Sequence, residues 1–157
     1  MKNRGFTLVE CLIGLAISAI LLAAIAAAIN ASAINYGENE DMFRAINGAR
    51  QALTRMTAQI RTGINFDIAE LANQTECSFF TSAGVDTTYK FLNQKLYLTQ
   101  DGTDYVLCDN VTAATFTKTA TDDGTDYKSV QISLTVQSGN VRRTISGAAV
   151  VRRNLGT

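Results

Sequence analysis

The sequence contains no histidine, no proline and no tryptophan among its 157 residues. Without histidine there is no Ser/His/Asp or Cys/His arrangement, no ordinary general base at neutral pH, and none of the usual zinc ligand. Without proline there is no Pro-rich linker, and no helix can be kinked by a proline ring. Charge is sparse, at 18%, and balanced, with 14 basic residues against 14 acidic ones. No global basic field exists to recruit nucleic acid or an acidic surface. No Gly-rich phosphate loop occurs, and no nucleophile stands at a recognisable spacing from a base. Carboxylates cluster only in turn sequences, where they serve the backbone. These absences argue against an enzyme, a cofactor and a small-molecule substrate.

The residues that are present are unevenly distributed. From Cys11 to Ile29 there is no charge, and Ser18 carries the only hydroxyl. As a helix, these 19 residues span about 28 Å, close to the roughly 30 Å hydrocarbon core of a bilayer. Lys2 and Arg4 precede the run, and the next basic residue is Arg44. The positive-inside rule therefore keeps the N-terminus in the cytoplasm and exports the rest. Gly14 and the alanines at 23, 24, 26, 27 and 28 make a thin helix suited to close helix–helix approach. Ala31-Ser32-Ala33 offers a competing reading, a secretory signal cut by signal peptidase. Glu10 counts against that reading and against a plain anchor. A carboxylate at the head of a membrane helix is costly and wants a partner, and a new amino terminus nearby would supply one.

Gly5-Phe6-Thr7-Leu8-Val9-Glu10-Cys11-Leu12-Ile13 resembles the class III signal of type IV pilins and type II secretion pseudopilins. The resemblance implies that prepilin peptidase cuts after Gly5 on the cytoplasmic face and that the freed Phe6 amine is N-methylated. It also implies that the Glu10 carboxylate neutralises a Phe amine during filament assembly. Such a pair registers one subunit against the next, because either charge alone is costly among packed helices. The resemblance is strongest over residues 1 to about 35. Many members carry a proline in the membrane helix and this chain has none, so a helix less sharply kinked, or kinked elsewhere, is expected.

Beyond the membrane run the helical spacing persists. Met42, Ile46, Ala49, Leu53, Met56, Ile60 and Ile64 form one apolar stripe, and Gly63 is a plausible stop. Arg44, Arg50, Arg55 and Arg61 lie off the stripe and read as a solvated flank. After about Asp67 the chain turns to short alternating runs. Val130, Ile132, Leu134 and Val136 alternate with polar residues as a half-buried strand. Ser138-Gly139-Asn140 supplies a turn, and Val141, Ile145, Gly147, Ala149 and Val151 line one face of the return, with Arg143 the misfit. Further strands are expected at 77–80, 89–92, 96–99, 105–107 and 111–117, separated in part by Asp-Gly turns at 101–102 and 123–124. The expected fold is α+β: a long N-terminal helix packed on an antiparallel β-sheet domain. Its order looks like the J-type minor pseudopilins and related minor pilins.

Of three cysteines, Cys11 reads as a small packing residue of the membrane helix. Cys77 and Cys108 fall in the exported part, where oxidising conditions make a disulfide the expected state. Two separate buried thiols are the alternative. Asp101-Gly102-Thr103-Asp104-Tyr105 recurs as Asp123-Gly124-Thr125-Asp126-Tyr127. Asp122, Asp123 and Asp126 offer oxygen ligands for calcium, but no twelve-residue EF-hand pattern is present. Two solvated hairpin turns are the preferred reading, and no metal site is expected.

Together these readings divide the chain into a cleaved leader at 1–5, a membrane and filament-core helix at 6–29, its amphipathic continuation at 30–64 and a periplasmic β-rich domain at 65–157. The expected function is that of a minor pilin-like structural subunit, preferably of type II protein secretion. A minor pilin of a pilus or DNA-uptake machine is the alternative. Expected partners are prepilin peptidase, other pilin or pseudopilin subunits and the inner membrane, with the chain spanning once before it enters a filament.

Overall fold

The computed structural model describes residues 7–67 and 74–154. One helix, α1 (Leu8–Thr62), is followed by seven strands: β1 (Glu76–Phe80), β2 (Asp86–Leu92), β3 (Lys95–Gln100), β4 (Thr103–Cys108), β5 (Val111–Ala120), β6 (Tyr127–Ser138) and β7 (Val141–Val150). A 3-10 turn at Arg152–Asn154 closes the described chain. The chain divides into two compact units between Glu40 and Asp41.

In the first unit every residue from Thr7 to Glu40 is exposed. Leu8, Leu15, Ile20 and Leu22 each present two thirds or more of their surface. Leaving one such side chain in water forfeits about 1.5–3 kcal/mol of burial. The stretch is therefore built for a non-aqueous surrounding. Length and composition make α1 sufficient to cross a membrane. In place of a proline device, Ser18 returns its hydroxyl to the Gly14 carbonyl at 2.8 Å.

In the second unit α1 buries Met42, Ala45, Ala49, Ala52, Met56 and Ile60. The stripe runs along small residues. Ile46 and Leu53 sit beside it, half-buried against the core, and Ala45 and Ala52 take the central places. Alanine allows the sheets to approach closely. Small residues on the sheet side serve the same end, as at Gly147 on β7, where an added Cβ would meet the Leu53 side chain at 3.3 Å. The helix ends one residue before Gly63. Ile64 then leaves helical geometry and bridges Phe80.

All seven expected strands form, and they divide between two antiparallel sheets, β1-β2-β3-β4 and β5-β6-β7. β6 follows the expected alternation: Val130, Ile132, Leu134 and Val136 are completely buried, while the hydroxyls and amides between them face outward. Two-residue turns connect several strands. Asn93 and Gln94 both take positive φ, as do Asp101 and Gly102, which suits the right-handed twist of the flanking strands. Phe66, Phe79, Tyr89 and Tyr127 form an aromatic chain with centroids 5.2–6.1 Å apart. The Tyr127 hydroxyl donates to the Asp67 carbonyl at 2.6 Å, and the Tyr89 hydroxyl donates to Gln59 on α1. Burial pushes the Tyr89 phenol well above its ordinary range, so it remains a donor at any physiological pH.

The β5–β6 turn is held by its acids. Asp123 accepts the Thr121 hydroxyl at 2.5 Å, the Thr125 hydroxyl at 2.7 Å and the Thr125 amide at 3.1 Å. The Thr121 hydroxyl, then the Thr125 hydroxyl, pull the Asp123 carboxyl from 3.8 down to about 2. A folded value below the unfolded one means that the stabilisation is complete above about pH 3.8 and is lost as pH falls toward 2. Asp123→Asn should flatten that part of the acid-unfolding curve by lowering the midpoint at neutral pH toward its acid value, while leaving the midpoint near pH 2 nearly unmoved. Urea titrations between pH 2 and 6 check this, and an unchanged acid limb would refute it.

Candidate functional site

The head of α1 is built from its own first turn. Thr7 precedes the helix, and Glu10 stands three positions later. The Thr7 amide and hydroxyl both donate to Glu10 Oε2 at 2.9 Å. In return the Glu10 amide donates to Thr7 Oγ1 at 3.2 Å, and the Cys11 amide reaches the Thr7 carbonyl at 3.1 Å. This is a capping box, in which each side chain satisfies a backbone donor that the helix leaves open. The negative carboxylate also sits at the positive end of the helix dipole. Both side chains are exposed. Glu10 thus has a partner within its own chain, which lowers the cost of carrying a carboxylate into an apolar stretch. The Thr-x-x-Glu spacing that signals the box is plain in the sequence, yet Thr7 was not among the expected site residues. Gly5 and Phe6, the expected cleavage and methylation positions, lie outside the described residues.

The pairing expected for Cys77 and Cys108 requires a correction. Cys77 and Cys108 are both buried and are not joined. Cys77 pairs with Tyr89 on β2, and Cys108 pairs with Leu96 on β3. Their strands are the two outer strands of the four-stranded sheet. Three strand spacings amount to about 14 Å, twice the roughly 7 Å that a disulfide tolerates between Cα atoms. Burial, with the Asp109 charge adding to it, raises the Cys108 thiol, and its Sγ–H donates to the Asp109 carbonyl at 3.3 Å. Intact mass without reductant should therefore equal that of the fully reduced chain, and both thiols should alkylate only on unfolding. A mass two hydrogens lighter would contradict this.

The acidic turn does not gather into a metal site. Asp123 is engaged within its own turn, and Asp126 is ion-paired with Arg153 while also accepting the Tyr127 amide at 2.7 Å. Asp122 is exposed and joins neither set of bonds. Among the described residues no group of three acidic or cysteine side chains is placed to hold a cation.

The head of α1, with its carboxylate, its cap and the apolar run behind it, is the part of the chain that known proteins share. Residues 1–26 match the prokaryotic N-terminal methylation motif. The match supports a type IV pilin-like family and points to a structural subunit rather than an enzyme. A prepilin-type motif implies processing by prepilin peptidase and assembly with other pilin subunits, and the apolar helix is consistent with an inner-membrane anchor. No curated protein and no solved structure matches the chain.

Proposed function

We propose that this chain is a minor pilin-like subunit, a pseudopilin, of a type IV filament system, with type II protein secretion preferred to a pilus or DNA-uptake machine. The observation that carries the reading is the Glu10 carboxylate, bonded to Thr7, at the head of an apolar stretch of α1 that is exposed from Thr7 to Glu40, inside a methylation motif. Residues 1–5 are the leader. The peptidase cuts after Gly5 and leaves Phe6 with a methylated amine. Residues 6–29 hold the subunit in the inner membrane and later in the filament core, 30–64 continue the helix, and 65–157 form the periplasmic domain. The preference for secretion rests on the likeness of this strand order to J-type minor pseudopilins.

The cleavage site is tested by intact mass and N-terminal sequencing of the membrane-extracted protein. The mature chain should begin at Phe6 and carry one added methyl group. A bulky residue in place of Gly5 should leave the leader attached. A mature start at Ile34 would mean that signal peptidase had cut after Ala33, and the reading would fall.

A further inference from the structure

Four strands stand at sheet edges: β1, β4, β5 and β7. Two are covered by the chain itself. The segment after α1 lies along β1, through Ile64 to Phe80 in both directions and from the Asp67 amide to the Ser78 carbonyl. β5 is held by the Phe116 amide on Gln74 and the Val111 amide on Gln94. Among the described residues no such backbone bonds cover β4 or β7. Both are also largely exposed, and they present Tyr105 and Val106 on β4 and Val141 and Val150 on β7. An open strand edge with apolar side chains is a template for another strand, unless charge of the same sign repels it.

The charges on the two edges have opposite signs. Residues 74–110, which hold β1 to β4, carry five acids against two lysines, a net of −3. Residues 111–154, which hold β5 to β7, carry six basic residues against three acids, a net of +3. The asymmetry is placed at matching ends of the two open strands. Asp101 and Asp104 mark the start of β4, and the Asp101 amide bonds the carbonyl of Asp86. Arg142 and Arg143 mark the start of β7. Asp104 keeps nearly half of its side chain exposed while bonded to Lys90. The Thr99 hydroxyl first, and Lys90 after it, hold its carboxyl below the ordinary range, so it carries a full charge at neutral pH.

We infer that β4 of one copy adds to β7 of a second copy in parallel, extending the three-stranded sheet of one subunit with the four-stranded sheet of the next. The register follows from the pleat. Tyr97 pairs with Val106 and Thr99 with Asp104. On the other edge Gln137 pairs with Arg142 and Thr135 with Thr144. Aligning Asp104 with Arg142 sets Val106 beside Thr144, two residues on, with both pairs on the faces turned away from the core. The contact joins two different patches, so it does not close on itself and can repeat from copy to copy. Backbone bonds along the strand provide attraction, and the charge match selects the direction.

This inference rests on the filament-subunit reading, and the experiment separates the two. The full-length mature chain, reconstituted in phosphatidylethanolamine–phosphatidylglycerol vesicles, carries Val106→Cys in one population and Thr144→Cys or Ala148→Cys in another. Copper-phenanthroline oxidation is followed by mass spectrometry. Native Cys11, exposed on the apolar helix, reports helix–helix contact in the same sample. A 106–144 bond between copies should dominate. It should fall roughly tenfold when Arg142→Glu and Arg143→Glu place like charges opposite each other. It should recover when those copies meet copies bearing Asp101→Lys and Asp104→Lys. A dominant 106–148 bond would reverse the charge match and overturn the inference, as would preferred bonding of residue 144 to its own copy. Cys11 bonding without any edge bond would overturn the edge pairing and leave the filament reading standing. Absence of both would overturn both.

Discussion

Gly63→Ala should lower the stability of the β domain by about 3 kcal/mol, the upper end of what overpacking costs. A Cβ at that position would stand 2.7 Å from Phe79 Cδ2 and 2.8 Å from Phe66 Cζ. Neither ring has room to retreat. Phe66 packs on both Phe79 and Tyr127, and Phe79 packs on Tyr89. The loss is a large fraction of the roughly 5–15 kcal/mol that holds a domain of this kind together. The same substitution fifteen residues earlier carries the opposite sign. At Gly48 the added Cβ meets only Cys108 Sγ, at an ordinary 3.6 Å. Replacing a mid-helix glycine by alanine gains about 0.8–1 kcal/mol of helix propensity. Urea unfolding of the two variants in detergent, followed by tyrosine fluorescence, should therefore move the midpoint in opposite directions. A Gly63→Ala midpoint equal to that of the unaltered chain would contradict the packing.

Glu10→Gln is expected to leave cleavage after Gly5, membrane insertion and the folded β domain intact, while sharply reducing recovery of partner subunits. The proposed reason is electrostatic. A carboxylate entering a dry bundle of helices is tolerated when it faces the Phe6 amine of a neighbour, and both charges are unpaired when a subunit stands at the wrong height. Glutamine keeps the size and an acceptor for Thr7, so the cap loses the strength of its charged bond but not its geometry. Thr7→Val separates the two roles, because it removes the hydroxyl of the box and leaves the carboxylate for the neighbour. Pull-down of partner subunits with the three proteins gives the comparison. Equal recovery with wild type and Glu10→Gln would falsify the register role.

The parts of the fold written in period were legible, and the parts written in topology were not. β6 could be read from Val130 to Val136 because one buried face forces strict alternation. β2 was only half visible. Its first turn of chain, Asp86-Thr87-Thr88, is polar in composition, yet Thr87 is completely buried with its hydroxyl on the Val85 carbonyl at 3.3 Å. A threonine satisfied locally is indistinguishable in sequence from one in a loop. The helix stripe was legible in direction but not in its centre, since Ala45 and Ala52 give a weak hydropathic signal and are chosen for their small size. The cysteines show the limit most clearly. Compartment argued for pairing Cys77 with Cys108, but strand order decides distance, and no local pattern announces that two strands will lie between them. At the head of the helix the motif and the cap share the same letters. The intermolecular task that the resemblance gives Glu10 hides the local one, in which the same carboxylate closes a box with Thr7.

The line of alanines along the packed half of α1 has a mechanical consequence. Met42, Ala45, Ala49, Ala52, Met56 and Ile60 lie in a row parallel to the helix axis, and its middle, from Ala45 to Ala52, is smooth. Tension along that axis loads every contact of the row together, in shear, rather than peeling them one after another. A smooth row resists sliding poorly, so the resistance concentrates where side chains interlock or bond: at Leu53 against Gly147, and at Gln59 under the Tyr89 hydroxyl. The segment from Asp41 to Thr62 therefore behaves less like a glued rod than like a rod pinned at its last turns, and those pins set the pull the domain withstands before the helix slips.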